Sequence, residues 1–189
     1  PRLSKVMSER GLASRREADD LISRGMVKVN GQTATLGMKV SPDVEIEIVG
    51  RAKKELAAKV TILLNKPVGY VSSQPEDGYS AAVELITNSN RDPGERKALE
   101  GVHLVGLATA GRLDIDSQGL LIFTQDGVVA KTLIGENSEI EKEYIVRVQG
   151  SLSKENLQLL NRGGLILEGR KLRPALVEWI NEDQLRFVL

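Results

Sequence analysis

Cysteine is absent from the 189-residue chain, and histidine occurs once, at His103. The first absence excludes disulfides, thiolate metal sites and a cysteine nucleophile. The second argues against a multi-histidine metal centre or a histidine relay. No apolar run approaches the length of a membrane span, and no secretory leader is visible at the start. The expectation is therefore a cytoplasmic protein with no membrane partner. A net charge is missing too, since 26 basic residues balance 26 acidic ones, which argues against a generic polyanion binder. What remains is ordinary for a globular chain, at 41% hydrophobic and 28% charged residues. The length suits one medium domain, or a small one followed by a medium one.

The charge is unevenly placed. Residues 1–40 carry Arg2, Lys5, Arg10, Arg15, Arg16, Arg24, Lys28 and Lys39 against only Glu9, Glu17, Asp19 and Asp20. A basic end on a mildly acidic body points to an anionic partner gripped at one end. Within that end, Leu3, Val6 and Met7 fall at helical spacing, with Gly11 as a stop. Ser14-Arg15-Arg16-Glu17 has the form of a capping box opening a second helix, whose apolar stripe is Ala18, Leu21 and Ile22 and whose stop is Gly25. Val27 and Val29 lead into Asn30-Gly31, a strong hairpin signal, and Val44, Ile46 and Ile48 alternate as a half-buried strand. Residues 1–49 thus read as a small module. Residues 50–60, charged and alanine-rich, read as a linker.

From residue 61 the chain reads as one larger domain to residue 189. Strands are expected at Thr61–Leu64, Leu120–Phe123, Ile140–Val148, Lys171–Ile180 and Gln184–Leu189. Short helical patterns cover Ala81–Ile86, Val128–Ile134 after a cap at Asp126, and Leu152–Leu160. Strands outnumber helices and several connections are short. The fold class is α+β on a largely antiparallel sheet.

One stretch, Gly111 to Gly127, carries the chemistry. Arg112 and Asp114 stand two apart, on one side of an extended segment, just before the apolar run Leu120–Phe123. Two readings stand on pattern alone: an ordinary charged turn between strands, or a loop that holds a reactive carboxylate on a rigid strand.

Two resemblances separate them. Leu3-Ser4-Lys5, Ala13-Ser14-Arg15-Arg16-Glu17-Ala18, Ile22-Ser23-Arg24-Gly25 and Val27-Lys28-Val29-Asn30-Gly31 resemble the RNA-binding module named after ribosomal small-subunit protein four. That implies RNA contacts through Lys5, Ser14, Arg15, Arg16, Arg24 and Lys28, with Ser14 also serving as the cap. Further on, Leu64-Asn65-Lys66-Pro67-Val68-Gly69, then Ala110-Gly111-Arg112-Leu113-Asp114 with Gly119-Leu120-Leu121, then Glu141-Lys142-Glu143-Tyr144, resemble the RsuA-type pseudouridine synthases, in particular the group acting on large-subunit ribosomal RNA. The resemblance implies isomerisation of uridine to pseudouridine with no cofactor and no metal. It makes Asp114 the essential carboxylate, either attacking the sugar or taking a ribose proton. Arg112 would fill the gap left by the extruded nucleotide, Tyr144 would stack on the uracil, and Lys66 would touch phosphate.

Other sites weaken on inspection. Asp114 and Asp116 lack nearby acids or histidines to complete a metal shell, His103 reads as a lone strand histidine, and Gly163-Gly164 and Gly169 read as turn glycines. The family continues into a basic segment beyond the pattern that ends at Phe187-Val188-Leu189, so a piece of a longer protein is expected. A monomer is the default expectation. A non-catalytic RNA-binding or ribosome-assembly protein is the alternative.

Overall fold

Leu3, Val6 and Met7 close one face of the first helix, α1 (Leu3–Glu9), and all three are buried. The computed structural model describes residues 1–75 and 78–189. The second helix, α2 (Arg15–Ser23), starts as its sequence requires. The Ser14 hydroxyl accepts from the Glu17 amide at 3.4 Å, and the Glu17 carboxylate accepts from the Ser14 amide at 2.7 Å. Strands β1 (Val27–Val29), β2 (Gln32–Thr33) and β3 (Ile46–Ile48) form a sheet in the order β2-β1-β3, all antiparallel. Between β1 and β2, Asn30 and Gly31 take φ values of 49° and 80°, the left-handed pair that a two-residue hairpin turn needs. Leu21, Ile22, Val27 and Ile48 join the helices to this sheet in one core.

The expected linker is instead a helix, α3 (Gly50–Ala57). Its alanines, lysines, glutamate and leucine are good helix formers. Ala52 is fully buried in the N-terminal core, and Arg51 pairs with Glu55 one turn on. Composition alone could not distinguish a solvated linker from a helix with one narrow buried stripe.

Strand β4 (Thr61–Lys66) runs two residues past the expected end. Helix α4 (Gly101–Leu104) and strand β5 (Ala108–Thr109) precede β6 (Gly119–Thr124), and the sheet order is β4-β6-β5, again antiparallel. Ile62 faces Phe123 and Leu64 faces Leu121 across the β4–β6 pair, so these four side chains share one face, as the two-residue period requires. Ala82 and Ile86 cover that face, with Tyr70, Leu107 and Leu113 packed at its margin. The Ala81–Ile86 pattern forms a single 3₁₀ turn, Ala82–Leu85. His103 is not on a strand. It lies buried in α4, where its Nδ1 accepts from the Glu100 amide at 3.0 Å.

Helix α5 (Gly127–Ile134) follows β6, and the Asp126 carboxylate accepts from the Val128 amide at 2.8 Å. Its first turn abuts α2. A Cβ on Gly127 would lie 2.5 Å from the Ser14 side chain, so only glycine permits this approach. There Glu17 accepts from the Gly127 amide at 3.2 Å and pairs with Lys59. Burial pushes the Glu17 carboxyl up, but the bonds from Lys59, Ser14 and Gly127 outweigh it and bring its pKa from 4.5 down to about 2. A lowered carboxyl value stabilises the fold fully above 4.5, and that contribution is lost as pH falls through 2. Glu17→Gln should therefore lower unfolding free energy by up to about 3.5 kcal/mol at neutral pH, on the linkage scale of ~1.4 kcal/mol per tenfold change. Urea unfolding followed from pH 7 to pH 2 should show a flatter acid limb for the variant; equal limbs would refute the assignment.

The backbone divides after Ser138 into two units, 1–138 and 139–189. In the second, β7 (Glu143–Arg147) precedes α6 (Lys154–Arg162), the hairpin β8 (Ile166–Leu167) and β9 (Arg170–Lys171), then β10 (Leu176–Trp179) and β11 (Gln184–Val188). The larger sheet is ordered β10-β11-β7, antiparallel throughout. At its β10 edge, the Asn161 side chain on α6 donates to the Val177 carbonyl at 2.8 Å and accepts from the Val177 amide at 2.9 Å. One amide thus stands in for a neighbouring strand. The chain is an α+β protein.

Candidate active site

After β5, Ala110 still donates to Ile122 at 2.7 Å, so the chain leaves the sheet only at Gly111 and rejoins it at Gly119. In between, exposure alternates: Arg112, Asp114 and Asp116 are exposed, while Leu113 and Ile115 are half-buried. Leu113 packs against the β4–β6 core. The Ser117 amide donates to the Asp114 carbonyl at 3.1 Å and closes a turn. The extended segment therefore anchors one side in the core and offers Arg112 and Asp114 to solvent. Among the described residues, no hydrogen bond or ion pair engages the Asp114 carboxylate.

Both neighbours of Asp114 are fixed. The Ser72 hydroxyl donates to the Leu113 carbonyl at 2.5 Å and accepts from the Leu113 amide at 2.8 Å. The Ile115 carbonyl accepts from the Gly69 amide at 2.8 Å and lies 3.5 Å from the Lys66 ammonium. The turn after β4 therefore holds the carboxylate-bearing loop at two points.

Lys66 differs from its expected place. It is fully buried, at 0% exposure, so it does not offer itself to a phosphate. Its ammonium donates to the Pro67 carbonyl at 2.9 Å and the Tyr70 carbonyl at 3.0 Å, besides facing Ile115. Burial pulls its pKa below 10.5, and the charges of Asp114 and Asp116 act against that fall. The cation lies beneath the loop because the bend after β4 turns the Pro67 and Tyr70 carbonyls towards it, while the loop itself contributes that of Ile115.

On the N-terminal module, Arg15 and Arg16 are exposed on the first turn of α2, and among the described residues neither makes an ion pair. Lys5 is exposed and 3.5 Å from Glu9. Lys28 is half-buried on β1. Ser14 is committed to its cap. Arg24 is engaged, at 3.0 Å from Asp20 and 2.7 Å from Glu55, which holds its guanidinium further above its ordinary value. This clasp with Glu55 spans 31 positions, so no local pattern announces it.

Tyr144 belongs to the second unit. It is half-buried on β7, opposite Phe187 of β11. Its neighbour Glu143 receives two bonds from Arg186, at 3.0 and 2.8 Å, and Arg186 also reaches Glu178 at 2.8 Å across the sheet. The Lys142 amide and carbonyl pair with Leu189 at 3.0 Å each, extending the β7–β11 ladder. Sequence reading missed Ser72 and Arg186; Gly69 stands in the Leu64–Gly69 motif that the resemblance singled out.

A small module with a basic helix start precedes an antiparallel sheet whose β5–β6 loop presents an exposed carboxylate. The RNA pseudouridylate synthase family model matches residues 60–178, and the S4 domain model matches residues 1–46. The chain belongs to the RNA pseudouridylate synthase family, whose members are isomerases, and carries an S4 domain at its N-terminus. It is 38% identical to the ribosomal large subunit pseudouridine synthase B of Bacillus subtilis (strain 168) over 97% of this chain and 69% of that protein. It is 34% identical to the dual-specificity RNA pseudouridine synthase RluF of Escherichia coli (strain K12), over 88% of this chain and 53% of that protein. A crystal structure of a pseudouridylate synthase shares the fold, with a TM-score of 0.59 at 24% identity over 100% of this chain and 76% of that one. No helix among the described residues is long and apolar enough to cross a membrane.

Proposed function

We propose that this protein isomerises a specific uridine of structured ribosomal RNA, that of the large subunit, acting as a monomer in the cytoplasm. The observation that carries the reading is the solvent-facing Asp114 carboxylate, without a hydrogen-bond or ion-pair partner among the described residues, between two fixed residues. A carboxylate so held can stabilise an electron-poor sugar carbon or accept a ribose proton. The bond from uracil N1 to the ribose breaks, the base turns over, and C5 bonds to the same ribose carbon. The C5 proton is released and N1 gains one, so every heavy atom returns to product. Arg112, exposed beside Asp114, is suited to occupy the space of the extruded nucleotide, since a planar cation stacks like a base. Tyr144, on the second unit, carries an aromatic ring of the kind on which bases stack.

The module over residues 1–49 would grip folded RNA by shape and phosphate, since A-form grooves hide base edges. Arg15 and Arg16 are its strongest contacts, because both are exposed and, among the described residues, neither makes an ion pair, whereas Arg24 is held by Asp20 and Glu55. Replacing both with Ala should weaken RNA binding and lower the salt slope of log Kd by about 1–2, roughly 0.7–0.9 per lost phosphate contact. An unchanged slope in a filter-binding titration would remove them from the interface. The reading itself is tested by incubating the protein with unmodified large-subunit ribosomal RNA and mapping pseudouridine by carbodiimide-blocked primer extension. One new stop supports it. RNA binding with no stop would favour a non-catalytic assembly protein.

A further inference from the structure

We infer that Ser72 is a positioning residue for the reaction, acting through the backbone of Leu113 to fix the direction of the Asp114 carboxylate; this rests on the function proposed above. The hydroxyl both donates to Leu113, at 2.5 Å, and accepts from it, at 2.8 Å. One side chain thus satisfies both backbone groups of the residue immediately before the carboxylate. An irregular loop has no strand partner to do this, and an unpaired buried backbone group is costly.

Ser72 is itself well placed to serve as a fixed post. It is 5% exposed. Its neighbour Val71 is tied on both sides, donating to Ser80 at 3.0 Å and accepting from Ala82 at 2.8 Å. Ala82 is fully buried in the core that also holds Leu121, Phe123 and Leu113. A continuous chain of contacts therefore runs from the sheet core through Ala82, Val71 and Ser72 to Leu113, one bond short of Asp114. The Gly69 and Lys66 contacts on Ile115 fix the far side. Without Ser72 the Leu113 backbone keeps no hydrogen-bond partner among the described residues, and its side-chain packing is what remains.

The geometry makes a different demand from general stability. A displacement of about 1 Å in a catalytic group can cost on the order of a hundredfold in rate. Losing one neutral hydrogen-bonding hydroxyl changes fold stability much less. Ser72→Ala should lower the single-turnover rate of pseudouridine formation on large-subunit ribosomal RNA by about 10- to 100-fold, with RNA Kd changed less than about twofold. Ser72→Cys, of similar size with a weaker donor and acceptor, should fall between Ser and Ala. The second readout is independent of activity. Amide hydrogen exchange at Leu113 should quicken at least about tenfold in Ser72→Ala, as expected on losing its acceptor, while exchange at Gly69 stays as in the parent protein. A parent-like rate in Ser72→Ala, or unchanged Leu113 exchange, overturns the inference. If the parent protein forms no pseudouridine, the functional reading fails, and the exchange experiment still decides whether Ser72 holds the loop.

Discussion

Asp114→Asn should bind ribosomal RNA as the parent does and form no detectable pseudouridine, a loss of at least about 10³-fold in single-turnover rate. The substitution keeps the size and planarity of the side chain while removing its charge and its ability to accept a proton or attack carbon. Because the carboxylate faces solvent and makes no hydrogen bond or ion pair among the described residues, the change removes no such bond there. Stability should therefore stay within about 0.5 kcal/mol of the parent, as for an exposed site. Affinity should hold or rise slightly, since a negative charge facing phosphates has gone. The discriminating result is the pairing of intact binding with absent turnover. Turnover within about tenfold of the parent would show that Asp114 is not the reacting group and would leave Asp116, exposed on the same side of the loop, as the carboxylate to test next.

How much of this was readable beforehand depends on which interactions are local. The capping box at Ser14 and Glu17, the Asn30-Gly31 turn and the Asp126 cap were legible because their signals lie within four residues. The alternation of Arg112, Leu113, Asp114 and Ile115 was legible for the same reason. What sequence did not show is long-range. Ser72 meets Leu113 across 41 positions, and Lys66 faces Ile115 across 49. The resemblance put Lys66 at a phosphate, and only the fold supplies the three carbonyls that make its burial tolerable. Helix α3 was misread for a related reason. Its solvent face is charged enough to look like a linker, and the one residue that decides the matter, Ala52, contributes almost no hydropathy signal. His103 was misplaced because four residues give too short a window for helical periodicity.

Lys66→Met should be the most destabilising single change around the site, and it should lower activity as well. Methionine keeps the length of the side chain but gives no donor. The Pro67 and Tyr70 carbonyls then lose the lysine donor, whereas Ile115 keeps its bond from Gly69. An unsatisfied buried acceptor costs about 1–3 kcal/mol, so two cost about 3 kcal/mol or more. Against this, the variant no longer buries an ammonium, the cost that draws the Lys66 pKa below 10.5. The unpaired carbonyls win, because the three oxygens and the charges of Asp114 and Asp116 offset part of the cost of burying the ammonium. For a chain of this size the net loss should lower Tm by about 6–12 °C. The pH dependence gives an independent check on sign. A lysine whose folded value lies below its unfolded 10.5 makes the folded state lose its proton first, so stability attributable to Lys66 rises as pH climbs towards 10.5. Lys66→Met should lack that alkaline rise. Activity should fall too, because the Ile115 side of the loop loses its cation and Asp114 loses the attraction of the charge beneath it. A Tm within about 2 °C of the parent, less than 1 kcal/mol on the same scale, would mean that the carbonyls find water instead. Lys66 would then be a tolerated burial and not the support on which the loop rests.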